Sequence, residues 1–336
     1  MAQVDSVAAW PSRRRRAGAF VIDFIILGAV TFGIGLAAYG ALSASPLLGR
    51  AIGFVIGAAY FGILCSRLGG GATAGMRLLG LRVVSAKGGP VALGVSFGRA
   101  ALLVAPIILN GAFFNFDANA LVMGVVGVLL MMLIFGVGLA QLYLLLFSRR
   151  TGRLLHDILF RTAVVRAGAE VANLAPVGSA AKIAGGIVAA SGVVTAGLVI
   201  AAPALLPSSL HRLTPPMEAV RALPEVVTAG VVDQTVTWAS AGGARSTVHS
   251  LKITARLRRW PKDLQAEIDR IGALATSTYH PAPEQVVRVE LVQGFEMGFS
   301  SISTSQVRDY TPGSPAAQSQ ARGRSAPAEP SGEPQR

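Results

Sequence analysis

Residues 13–30 read RRRRAGAFVIDFIILGAV. Four arginines lead into an apolar run, and that run holds a carboxylate, Asp23. About 20 mainly apolar residues span the hydrocarbon of a bilayer, so the segment reads as a transmembrane helix entered from a basic flank. A carboxylate inside costs about 2.5–3.5 kcal/mol on insertion scales, so Asp23 is expected to face a partner or a wet cavity. Arg16 and Asp23 are seven residues apart, which places them on one helical face about 10 Å apart along the axis.

The rest of the chain divides by solvent. Of 336 residues only 14% are charged, against about a quarter in a soluble domain. Residues 1–206 carry sixteen bases and five acids; residues 207–336 carry fourteen and twelve. A net charge of +13 raises nucleic acid as a partner. The early bases, however, sit in clusters between apolar runs without interleaved aromatics, which is how a membrane protein orients itself. Nucleic acid is excluded on that ground. The single cysteine, Cys65, rules out an intrachain disulfide and reads as a small buried hydrophobe.

Five spans are predicted: Ala17–Tyr39, Leu47–Cys65, Ser96–Phe114, Leu121–Phe147 and Ile183–Leu206. The third is interrupted by Pro106 and Asn110. Fifteen bases fall before the first span, between the second and third, or between the fourth and fifth; the other two short loops hold only Arg50. The positive-inside rule then places the amino terminus in the cytosol and everything after Leu206 outside. The first span is too long, carries Asp23 and is followed by further spans, so it is not read as a cleaved signal peptide.

A second acid lies at the inner side: Asp157, in TGRLLHDILFRTAVV, residues 151–165. Here the sequence resembles the RDD family, named for one arginine and two aspartates. Arg16, Asp23 and Asp157 match those three, and Thr162 and Val164 fit the pattern that follows. GGATAGMRLLGLRVV, residues 70–84, matches a further family segment, departing from it at Ala74 and Met76. The resemblance covers about residues 10–168. It implies an integral membrane protein of a family of largely undefined activity, transport being the suggested one.

Other motifs are weaker. Gly70 and Gly75 have phosphate-loop spacing, but Met76 and Arg77 stand where Lys and Ser/Thr are needed. His156, His211, His249 and His280 lack metal-ligand spacing, and no nucleophile elbow or zinc-protease pair is present. Gly49, Gly53 and Gly57 form a small-xxx-small ladder read as a helix-packing face. RAGAFVIDFIIL from Arg16 and RAALLVAPIIL from Arg99 echo one another, and each opens two apolar segments and a basic "RLL" stretch. This would be a parallel internal repeat, with Arg99 as counterpart of Arg16.

Past Leu206, residues 207–224 read as a proline-containing linker. Leu251, Ile253, Ala255 and Leu257 alternate with polar residues as in a strand; Leu264, Ile268, Ile271 and Leu274 make a helical stripe. VVRVELVQGFEMGFSSIS, residues 286–303, returns to strand. The expected fold is therefore an all-α, RDD-like polytopic membrane domain (residues 1–168) with about five transmembrane helices. A linker and the fifth helix (169–206), a second linker (207–224), a small α+β domain of order ββαβ outside the cytoplasm (225–308) and a disordered tail (309–336) complete the chain.

The function expected first is a transporter or channel-like component for an ion or small solute. Asp23 would be the binding or proton-carrying group, and Arg16, Asp157 and Arg99 would shape its field. A carboxylate in low dielectric holds a proton more readily, which suits that task. The alternative is a membrane-anchored interaction or assembly protein whose outer domain binds a partner. No enzyme activity, cofactor or metal is expected. The expected partners are the lipid bilayer, further copies of the chain, and a protein met by the outer domain, and the expected location is the cytoplasmic (inner) membrane.

Overall fold

The computed structural model describes residues 10–110, 120–148, 152–169, 171, 179–205, 208–239, 245–282 and 285–310. The expected disordered tail falls, from residue 311 on, outside the described residues. The chain forms two compact units: residues before Leu206 joined by Phe295–Ile302, and Leu206–Gly294 joined by the residues from Ser303 on.

The first unit begins with α1 (Arg13–Ala37), capped where the Ser12 hydroxyl accepts the Arg15 amide. Its buried residues are Ala19, Asp23, Leu27, Thr31 and Gly35. A spacing of four draws one stripe down the helix, and Asp23 belongs to it. The opposite side exposes Val21, Ile25, Val30 and Leu36, apolar surface that suits hydrocarbon and not water. A short α2 (Tyr39–Ala44) leads to α3 (Pro46–Leu64), which starts with proline at its first position, where the missing N–H costs nothing. Next come α4 (Ala74–Leu78) and β1 (Leu81–Ser85).

The second half repeats the order. Helix α5 (Leu93–Leu109) is followed by α6 (Ala120–Met131), a π-helical turn (Met132–Gly136) and α7 (Val137–Phe147), then by α8 (Leu155–Leu159) and β2 (Thr162–Arg166). Strands β1 and β2 pair antiparallel, Leu81 opposite Arg166 and Ser85 opposite Thr162. The internal repeat is thus visible in the element order, and the pairing brings the two inner-side segments together. Helix α9 (Ser179–Leu205) packs on the π turn and α7, where Val137, Ala140, Leu144 and Ala184 are buried together.

Four helices are long and apolar enough to cross a membrane: Arg13–Ala37, Pro46–Leu64, Gly124–Phe147 and Ser179–Ala201. The expected third span is shorter, since α5 has 17 residues and closes before Asn110; residues 111–114 of that span lie outside the described residues. Its last carbonyls, Ile108 and Asn110, accept hydrogen bonds from Arg50 Nη1. A buried guanidinium replaces the helical donors that a helix end lacks.

The second unit contains α10 (Ser208–Arg221), β3 (Val226–Ala239), β4 (Arg245–Leu257), α11 (Leu264–Tyr279), most of β5 (Val286–Glu296) and most of β6 (Ser301–Tyr310). The sheet order is β3-β4-β5-β6, with β3 antiparallel and β5 parallel to β4. The ββαβ order is present and gains a further strand. Leu251, Ile253, Ala255 and Leu257 are buried against Ile268 and Ile271, as the alternation and the stripe required. The expected linker 207–224 is largely helix α10, despite Pro215 and Pro216 within it. An interior proline costs about 3 kcal/mol. Burying an aliphatic side chain returns about 1.5–3 kcal/mol, and Leu213, Val220 and Leu223 all join the core.

Candidate functional site

Asp157 is the hub of the inner-side end. It sits at the third position of α8, where Oδ2 accepts the Leu154 amide at 3.2 Å and closes the first turn. Arg16 Nη2 of α1 donates to Oδ2 at 3.0 Å, and Arg99 Nε of α5 donates to Oδ1 at 2.8 Å. Thr162 Oγ1 of β2 adds a longer bond to Oδ1 at 3.3 Å. Arg16 also donates through Nη1 to the Gly152 carbonyl. Gly152 has φ +60°, and a Cβ there would stand 2.7 Å from that same Nη1, so glycine is required twice over. Two halves of the repeat thus each send an arginine to one acid.

The neighbourhood is dry. Asp157 is fully buried, Arg99 is 2% exposed, and Arg153 and His156 are buried beside them. Burial alone would push the Asp157 carboxyl up, but Arg99, His156 and Arg16 hold it well below the usual carboxylate range. Burial, reinforced by Arg99 and Arg16, takes His156 down to about 3 against the pull of Asp157. The ring is therefore neutral at pH 7. Its Nδ1 lies 2.6 Å from Gln141 Oε1 of α7.

Asp23 serves a different element. Its Oδ1 accepts the Tyr60 hydroxyl at 2.7 Å and the Gly75 amide at 2.8 Å, and its Oδ2 accepts the Thr73 hydroxyl at 2.6 Å. Thr73 in turn caps α4 by accepting the Met76 amide. A Cβ on Gly75 would meet the Ala19 carbonyl, so the small residue lets α4 touch α1. The single cluster expected of Arg16, Asp23 and Asp157 is therefore two: Arg16, Arg99 and Asp157 meet, while Asp23 holds α4. Among the described residues Asp23 forms no ion pair.

Both clusters border one cavity of about 490 Å³. Arg16, Asp23 and Phe24 of α1, Arg99 and Ile107 of α5, and Gly138 and Gln141 of α7 line it, with His156 at the same end as the arginines. Apart from these polar groups its wall is apolar.

The glycine ladder faces something other than a helix. A Cβ on Gly49 would come within 2.6 Å of the Glu296 carbonyl, one on Gly53 would strike the Met297 backbone, and one on Gly57 would lie 2.6 Å from the Phe299 ring. The three residues seat the turn Phe295–Ile302, and Gly57 also touches Val104 of α5. Arg50 Nη2 pairs with Glu296 at 2.7 Å, and Thr31 shares a hydrogen bond with Ser300 at 2.8 Å. Phe299 stacks edge-on against Phe24, 5.6 Å between centroids, and packs with Leu27, Phe61 and Val104. Helix packing was the expected use because small residues every four positions admit any close backbone, and a turn is one.

Sequence reading missed Tyr60, Thr73 and Gly75 around Asp23, and Gln141, Gly152, Arg153 and His156 around Asp157. Thr73 was findable as a helix cap before a short apolar segment. The others carry no spacing signal, because their partners lie far away along the chain. Among the described residues no group of three or more metal-ligating side chains comes together.

No curated protein and no solved structure matched the chain. A family model did match, that of the RDD family, over residues 10–161. The matched stretch runs from just before α1 to just past α8 and so contains all three charged residues that meet at Asp157, together with Asp23 and its cap on α4. Through residues 10–161 the chain belongs to the RDD family.

Proposed function

We propose that the protein is a transporter or channel-like component for an ion or small solute, with the cavity between α1, α5 and α7 as the solute site. The cavity carries the reading: about 490 Å³ of space, apolar except at an end built from Arg16, Arg99, His156 and Gln141, with Asp23 on its wall. Protonating Asp23 would weaken its hold on Thr73 and Gly75, so a proton arriving there couples to the seating of α4. Phe299 packs on Phe24 and Phe61, two of the cavity's lining residues, which closes that end. The test is flux in proteoliposomes, following collapse of an imposed pH gradient with sodium, potassium or short carboxylates added singly. Wild type should respond to one of them, and Asp23→Asn should lose that response while remaining folded. No response to any added solute would end this reading.

In this proposal the helical unit lies in the cytoplasmic membrane with five spans, α5 being a short third one of roughly 25 Å at 1.5 Å per residue. Its amino terminus is cytosolic and the α+β unit is outside. Two observations support that sidedness: the basic residues fall on alternate loops, and the turn Phe295–Ile302 packs on Thr31 and Gly35, the half of α1 away from the arginines.

A second reading, an assembly protein whose outer unit binds a partner, is favoured by one observation. Asp23 and Asp157 are both saturated with donors, as residues that only fasten helices would be. It predicts that Asp23→Asn leaves function intact, and that exposed substitutions on the α+β unit destroy it.

A further inference from the structure

We infer that the cavity between α1, α5 and α7 binds a long-chain aliphatic carboxylate taken from the bilayer, with Arg99 receiving its head. This rests on the cavity reading above and names the ligand class.

The charge balance comes first. The polar end contains three buried guanidiniums, Arg16, Arg99 and Arg153, facing two carboxylates, Asp157 and Asp23; His156 is neutral. One positive charge is left over in a dry place, and buried arginines are rarely left without a compensating anion. The orphan is visible at atomic level. Arg99 Nε is spent on Asp157, yet Arg99 Nη1 is buried with no hydrogen-bond partner among the described residues. A buried donor without an acceptor marks a strained site or one that an absent ligand completes. A carboxylate supplies one charge and the acceptor that Nη1 needs.

The tail follows from the walls. From Arg16 to Phe24 the cavity runs eight residues along α1, about 12 Å at 1.5 Å per residue. Phe20, Leu103, Ile107, Leu142 and Leu145 line it, and Val21 and Leu142 at its rim are half exposed on the apolar side of the unit. An alkyl chain therefore enters sideways from lipid without crossing water, and its end remains among lipid chains. A hydrophilic anion would leave those walls unsatisfied, and a neutral alkane would leave Arg99 Nη1 so.

Full-length protein in nanodiscs of uncharged lipid, titrated with radiolabelled palmitate, tests this. Saturable binding of one palmitate per chain is expected, competed by unlabelled palmitate and not by hexadecanol. Arg99→Gln should weaken binding about tenfold or more, the loss of one charged hydrogen bond. Because that variant also disturbs Asp157, Gly138→Leu is the second arm: Gly138 lines the cavity, and a side chain added there meets nothing within 4 Å. It should block palmitate while leaving the melting temperature unchanged. Absence of saturable binding, equal competition by hexadecanol or by phosphatidic acid, or normal binding by Gly138→Leu would each overturn the inference. Palmitate binding without solute flux would sink the transport reading alone; flux without palmitate binding would sink this one alone.

Discussion

Arg99 and Asp157, 58 residues apart, are joined by a 2.8 Å bond between groups that are both almost fully buried. Arg16 reaches the same carboxylate from the other half of the repeat. The inner-side end of the helical unit is thus held by one acid shared between two helices and its own short helix, α8.

Breaking this hub should be costly and uneven. Removing one partner of a buried ion pair destabilises by about 3–5 kcal/mol because the other charge is stranded. Asp157→Asn strands two arginines and should lower stability more than Arg16→Gln, which leaves Arg99 in place. Thermal unfolding in detergent would rank them. Equal losses would mean that Arg16 and Arg99 do not share the acid.

Asp23→Asn should be milder. An amide oxygen can still accept from two of the three donors now served by Asp23, so a loss of about 1–2 kcal/mol is expected. The effect should be local: hydrogen exchange at the Gly75 and Met76 amides should accelerate, while β1 remains protected. Tyr60→Phe removes a single donor and should produce a smaller version of the same change.

Acid should loosen the hub through His156. Its ordinary value is 6.5 and its folded value about 3, so between those limits the unfolded chain binds a proton that the folded chain refuses. Stability is therefore complete above about pH 6.5 and declines below it, by at most about 1.4 kcal/mol per pH unit. Asp157, depressed when folded, adds a loss of the same sign below its ordinary value of 3.8. Melting temperatures at pH 7.5, 6.5 and 5.5 should fall in wild type and fall less in His156→Gln. A steeper fall in the variant would contradict the assignment.

The seat of the turn Phe295–Ile302 can be tested by cross-linking. Thr31 Oγ1 and Ser300 Oγ are 2.8 Å apart, so Thr31→Cys with Ser300→Cys should form a disulfide under mild oxidation. Adding Gly53→Leu should abolish it, since any side chain at 53 strikes the Met297 backbone. Persistence of the cross-link would place the turn elsewhere.

Sidedness has a direct readout. A reporter active only in the cytosol, fused after Arg336, should be silent, and one fused before Trp10 should be active. Cytosolic activity at the carboxy terminus would leave an even number of spans.

Residues 13–30 by themselves determined much of this protein. Length, apolarity and the clustering of arginines mark the membrane-type helices, because hydrocarbon imposes its demands on each segment separately. Alternation from Leu251 to Leu257 and the stripe from Leu264 to Leu274 likewise determined a strand and a helix, local periods that a core reads locally. That Asp23 had to face inward was also legible, since its position on the stripe with Ala19 and Leu27 is fixed by helical geometry. Which group it faces was not. Tyr60 and Thr73 reach Asp23, and Arg99 rather than Asp23 joins Arg16 at Asp157, only because β1 pairs with β2 and brings α4 and α8 to the same end. Helix α10 shows the same limit: two prolines predict a break, and burial of Leu213 and Val220 against distant residues overrides them. The glycine ladder announced a close approach in the sequence, but space for a backbone does not say whose. Local composition sets what each segment needs, and only the closure of long loops decides which partner supplies it.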